Sequence, residues 1–182
     1  QKPTMFVVLL AFYLAHLFGV KVAGGVERVL VVFKLVAFAV FVVVGVSSVR
    51  PENFQPLLGS GWGAVFASLP LLVSLYMGIE SAVEVGEEIR NARAVIAKGL
   101  ASAVILTIVV YLAVSSVALG VLGAGPLGAS DAPLFDAGSR FLGRWNTPLI
   151  IFAAVASIGT SINAIYLTFT RFLFAMGRDG VL

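Results

Sequence analysis

The chain has 182 residues, of which 60% are hydrophobic and only 12% charged, and its mean hydropathy is +1.07. Soluble domains carry about 25% charged residues, so this composition excludes an ordinary soluble domain and a disordered chain, and the lack of cysteine excludes a disulfide-stapled secreted domain. The net charge of +3 comes without a basic run or an aromatic-basic stripe, so a lipid bilayer is the expected partner and nucleic acid is not.

A helix crosses a bilayer with roughly 20 apolar residues, because the hydrocarbon is about 30 Å thick. Peptide groups find no water there, so apolar spans must be helical. The expected fold class is all-α, a polytopic membrane protein in a single transmembrane region. Spans are predicted over residues 4–20, 25–47, 60–90, 97–122 and 146–175. Five spans, with chain ends set close against apolar segments, lead us to expect a piece of a larger protein.

The first span is interrupted only by His16, the one histidine. A lone histidine without cysteine cannot form a zinc site, and it reads most simply as a bonded structural residue. The second span holds Lys34. A lysine at a helix centre costs at least about 2.5 kcal/mol. With a helix starting near Gly25, Lys34 lies about 14 Å along it, near mid-depth. Snorkelling to the interface and a functional role both remain open at this point. Residues 47–55 contain Pro51 and polar groups and suit a short outer turn.

The third span is too long for a simple rod. From Trp62 to Arg90 a continuous helix would measure about 43 Å. It contains Pro70, and Gly78 stands two residues before Glu80. A break near residues 74–80 would leave free backbone groups that survive only against protein or a cavity, as in the discontinuous helices of secondary transporters. The alternative is a helix projecting into the cytoplasm with Glu80 at its interface. Glu84, Glu87, Glu88, Arg90, Arg93 and Lys98 then form a charged run, either a solvated turn or a gating ion pair.

After the fourth span, residues 122–146 are rich in Gly and Pro. Ser130 or Asp131 is expected to cap a short helix near Pro133. Leu134, Phe135, Phe141 and Leu142 would share its apolar side, lying on the surface or packed across the bundle. An ordered loop with some helical turns is the alternative. On the last span Ser157, Thr160, Ser161 and Asn163 form a polar patch, with Ser157, Thr160 and Asn163 on one side. Such groups often serve helix packing.

With alternating spans, Lys21, Arg28, Arg90, Arg93, Lys98, Arg171 and Arg178 fall on one face, and Lys2, Arg50, Arg140 and Arg144 on the other. Positive charge favours the cytoplasm, so the first face is predicted to be inside. No Ser-His-Asp set, phosphate loop or paired catalytic carboxylates stand out. An enzyme is therefore not expected, and no cofactor or metal is implied.

Three segments carry a family resemblance. Gly78-Ile79-Glu80-Ser81, Glu87-Glu88-Ile89-Arg90-Asn91 and Lys98-Gly99-Leu100 resemble the sixth helix and following loop of amino acid permeases. Ser157-Ile158-Gly159-Thr160-Ser161-Ile162-Asn163-Ala164, followed by Arg171-Phe172-Leu173-Phe174-Ala175-Met176-Gly177-Arg178-Asp179-Gly180, is similar to their eighth helix and its exit. Gly19-Val20-Lys21-Val22-Ala23-Gly24 through Val32-Phe33-Lys34-Leu35 resembles the junction of the fourth and fifth. Ala92 and Ala97 replace usual prolines, and Val95 a common Asp.

The chain thus resembles the amino acid–polyamine–organocation (APC) superfamily. The resemblance implies the leucine-transporter-type fold of two five-helix inverted repeats, with this chain carrying roughly the fourth to eighth helices. It implies amino acid transport by alternating access in the plasma membrane, with the proton as coupling ion. It also implies partnership with the remaining helices of the parent protein, the first of which supplies half the substrate site. Residues Ser74, Tyr76, Met77, Gly78 and Ile79 would offer free carbonyls to a substrate ammonium, with Tyr76 closing over it. Lys34 would stand where sodium-coupled relatives hold a cation, with Thr160 and Ser161 opposite and Glu80 gating. A polyamine or organic-cation transporter, a non-transporting sensor and a channel on the same fold are the alternatives.

Overall fold

The structure is a computed structural model and describes residues 10, 13–14, 20–56, 59, 61–74, 76, 79 and 91–181. Six α-helices are described: α1 Val20–Gly45, α2 Gly61–Ser74, α3 Ala92–Leu122, α4 Ala124–Ala129, α5 Pro133–Ser139 and α6 Asn146–Arg178. Short 3-10 turns at Val46–Ser48, Pro51–Phe54 and Gly143–Trp145 join them. No strand occurs among the described residues. Three of the helical stretches are long and apolar enough to cross a membrane: Gly24–Ser48, Ala92–Leu122 and Gly143–Arg178. The protein is an all-α polytopic membrane protein.

α1 is built largely from valine, which favours strands in water. In lipid a helix is the single-segment solution that satisfies every peptide group, and that constraint outweighs propensity. Its sides differ. Val29, Val32, Val36, Val40 and Val43 are exposed, at spacings of three and four residues that trace one lipid-facing stripe. Lys34 is half-buried, and Ala37, Phe41 and Gly45 are buried, at the same spacings on another side.

The chain forms two compact units. In the unit of Ala37–Glu80 and Lys98–Ile151, Phe41, Val114, Val117, Ala118, Ala137 and Leu142 make a buried cluster. Phe41 meets Phe141 edge to face at 5.1 Å. A Cβ on Gly45 would come within 2.5 Å of Val117 Cγ1, so the missing side chain is what lets α1 and α3 approach closely. The connector after α1 is pinned to the end of α3. The Arg50 N–H and Asn53 Nδ2 both donate to the Gly120 carbonyl at 2.8 Å, satisfying a terminal acceptor with no partner in its own helix.

Residues 122–146 differ from the expectation of one helix. They form two, α4 and α5, and α5 is packed rather than lying on the surface, with Ala137 and Gly138 buried. Neither Ser130 nor Asp131 is its N-cap. That position belongs to Ala132, which makes no side-chain cap bond. Ser130 Oγ instead accepts from the Ala132 N–H at 3.1 Å and donates to Asp136 Oδ2. The hydroxyl therefore orders the turn one residue ahead of the helix, where Pro133 needs no N–H partner. Asn146 Nδ2 donates to the Phe135 carbonyl at 2.9 Å, fixing α5 to the start of α6.

The unit of Gln1–Val36, Ser81–Ala97 and Phe152–Leu182 is held together by α1 and α6. Phe33 meets Phe152 edge to face at 6.2 Å. On α6, Ala153, Ala156, Gly159, Thr160 and Asn163 are buried, whereas Ile151, Val155, Ile158, Ile165, Phe169 and Phe172 are exposed. Both sets follow helical spacing, so one side of α6 packs on protein and the other faces lipid. Asn91 opens α3 with φ 57, a left-handed conformation that asparagine tolerates better than most residues. Its carbonyl accepts the N–H groups of Ala94 and Val95.

Candidate functional site

The polar side of α6 and the polar side of α1 meet inside one unit. Lys34 Nζ donates to Thr160 Oγ1 at 3.4 Å, a long bond. Thr160 is 6% exposed, and its hydroxyl donates in turn to the Ser157 carbonyl at 2.8 Å. The hydroxyl hydrogen is thereby committed to the helix, leaving the oxygen lone pairs to face the ammonium. Asn163, one turn further along and 1% exposed, donates from Nδ2 to Glu27 Oε2 at 2.8 Å. Two polar pairs thus join α1 to α6, one turn apart on α6 and two turns apart on α1.

Of the four residues expected in the coupling and gating set, the structure brings Lys34 and Thr160 together. Ser161 is exposed, and its Oγ donates back to the Ser157 carbonyl at 3.2 Å. Its side chain points around the helix from Thr160, as an offset of one residue, about 100°, requires. Glu80 lies outside the described residues, as do His16, Glu84, Glu87, Glu88 and Arg90.

Of the expected substrate stretch, Ser74, Tyr76 and Ile79 are described, while Met77 and Gly78 are not. Ser74 is the last residue of α2, and its hydroxyl donates to the Leu71 carbonyl at 2.7 Å. Tyr76 and Ile79 follow in turns, the Tyr76 N–H bonding the Val73 carbonyl at 3.0 Å and the Ile79 N–H the Tyr76 carbonyl at 3.3 Å. Tyr76 is exposed.

Glu27 is the residue that sequence reasoning missed. It reads as part of a polar junction, next to Arg28 and just ahead of the apolar run from Val29. Two spacings could have found it. Glu27 precedes Lys34 by seven residues, and Asn163 follows Thr160 by three, so each pair shares a helix face. Among the described residues no group of three or more His, Cys, Asp or Glu could hold a metal ion.

The family model described as amino acid permease matches residues 2–182. The chain is 27% identical over 179 residues to the branched-chain amino acid permease BcaP of Bacillus subtilis, covering 98% of this chain and 38% of that protein. It is 30% identical over 165 residues to the methylthioribose transporter of the same bacterium, covering 90% of this chain and 35% of the relative. To the cationic amino acid transporter 9, chloroplastic, of Arabidopsis thaliana it is 26% identical over 164 residues, covering 90% and 29%. The chain therefore spans little more than a third of the length of the first two relatives. With the family model matching nearly its whole length, the chain belongs to the amino acid permease family of the APC superfamily.

Proposed function

We propose that this chain carries the coupling site, and one side of the substrate site, of a proton-coupled amino acid transporter in the plasma membrane. The observation that supports this reading most is the Lys34–Thr160 contact between two lipid-crossing helices. A charged donor makes this bond stronger than a neutral amine would. Loss of the proton weakens the link between α1 and α6, and its return restores it. A change of that kind biases which arrangement of helices is favoured, which is what alternating access with a proton requires. Residues 74–79, at and beyond the end of α2, would offer backbone carbonyls to the substrate ammonium. The rest of the pocket would come from the remaining helices of the parent protein.

The intact transporter in liposomes tests this. An inward proton gradient should drive saturable uptake of an amino acid, with branched-chain ones tried first. Lys34→Ala should abolish dependence on the gradient while leaving facilitated exchange. Unchanged gradient dependence in that variant removes Lys34 from coupling. One relative is named a methylthioribose transporter, so a thioether sugar is the second substrate class to offer. Steady conductance would favour a channel, and binding without flux a sensor.

A further inference from the structure

The proton-coupled reading leaves Glu27 unused, and the inference that follows rests on that reading. Glu27 is half-buried on α1 and accepts the Asn163 hydrogen bond. It lies seven residues before Lys34 on the same side, about 10 Å along the axis. A carboxylate inside a span is costly. A neutral glutamine at this position could also accept from Asn163, more weakly but without a charge to desolvate. The ammonium of Lys34 on the same side of α1 is the charge complement of the carboxylate.

Among the described residues of this unit, the other charged or titratable groups stand apart from the pair. On α1 Arg28 is exposed, and Arg93, in the first turn of α3, is exposed as well. Tyr13 and Tyr166 form a ring pair at 6.4 Å. Arg171, Arg178 and Asp179 stand at least eight residues beyond Asn163, about 12 Å or more along α6.

We infer that Glu27 is a positioning residue that sets the charge state of Lys34, with Asn163 aiming its carboxylate. While both helix pairs are closed, the carboxylate stabilises the ammonium across two turns. When α1 and α6 part, the Asn163 bond and the Thr160 bond are lost together. Nζ then loses its hydroxyl acceptor and the carboxylate loses the group that aims it, so the electrostatic surroundings of Lys34 differ between the two arrangements. The device makes the charge preference of Lys34 depend on the conformational step.

The test reads Lys34 directly. The purified intact transporter is treated with acetic anhydride over a series of pH values, and acetylation of Lys34 is followed by mass spectrometry. Only the neutral amine reacts. In Glu27→Gln, which keeps the acceptor for Asn163, the labelling midpoint should fall by about one pH unit. That is the size expected for unit charges roughly 10 Å apart at an effective dielectric constant of about 20. Glu27→Asp should restore the wild-type midpoint. An unchanged midpoint in Glu27→Gln overturns the inference, as does a Lys34 that resists labelling across the alkaline range in both proteins. A shifted midpoint alongside gradient-independent uptake would keep the electrostatic link and sink the coupling reading. An unchanged midpoint alongside Lys34-dependent coupling would do the reverse.

Discussion

A lysine in a lipid-crossing helix identifies itself, because its cost is set by the medium and not by its neighbours. Lys34 was legible in the sequence for that reason, and Thr160 and Asn163 stood out as polar groups on an apolar helix. Glu27 was not legible, because a carboxylate near the start of a span looks like an interfacial residue until its partner is known. The same blindness applies to glycines. Gly138 is buried, and a Cβ there would clash with Asn146 Oδ1. Gly138→Ala should therefore destabilise the protein by about 1–3 kcal/mol, the usual size of an overpacking penalty. Thermal unfolding in detergent would measure it. The effect should shrink in an Asn146→Ala background, where the opposing oxygen is absent and the two sites couple.

At the scale of elements, the long helices follow from composition and their sides from spacing. The helical stretches Gly24–Ser48, Ala92–Leu122 and Gly143–Arg178 are long and apolar enough to cross a membrane, and the predicted spans 4–20 and 60–90 fall largely or partly outside the described residues. Lipid gives no hydrophobic drive for helix association, so α6 must rely on close packing of small residues and on polar bonds. Ala156 is 2% exposed on the packed side, while Ile158 is exposed on the other. Ala156→Leu should lower the melting temperature and weaken Lys34-dependent uptake, because it forces α6 away from its neighbours. Ile158→Leu should leave both unchanged. Equal effects of the two substitutions would show that the buried stripe is not a packing surface. The short helices were harder to read. α4 and α5 are six and seven residues long, too short for periodicity to define a face, and the Ala132 cap leaves no side-chain signature.

For the molecule as a whole, the distribution of Lys and Arg predicts the orientation. It would put Arg50, Arg140 and Arg144 on the outer face and Arg171 and Arg178 on the inner one. Single cysteines placed in a cysteine-free background of the intact transporter can check this. A cysteine at Ser139, an exposed position, should react with an impermeant maleimide added to whole cells. One at Asp179 should react only after the membrane is opened. The opposite pattern would invert the topology and place the Glu27 end of the proposed coupling site on the outside.

Sequence alone determined that this chain is helical, crosses a membrane and carries one costly lysine within a span. Each of those conclusions depends on a local requirement: inside hydrocarbon a segment must satisfy its own peptide groups, so its residues decide its structure without reference to the rest of the chain. The family likeness was legible too, because its motifs are contiguous. Only the tertiary structure decided which polar groups meet. Lys34 and Thr160 are 126 residues apart and Glu27 and Asn163 are 136 apart, and no periodicity within one helix selects the facing helix or its register. Partner choice depends on packing between helices, which no single segment encodes.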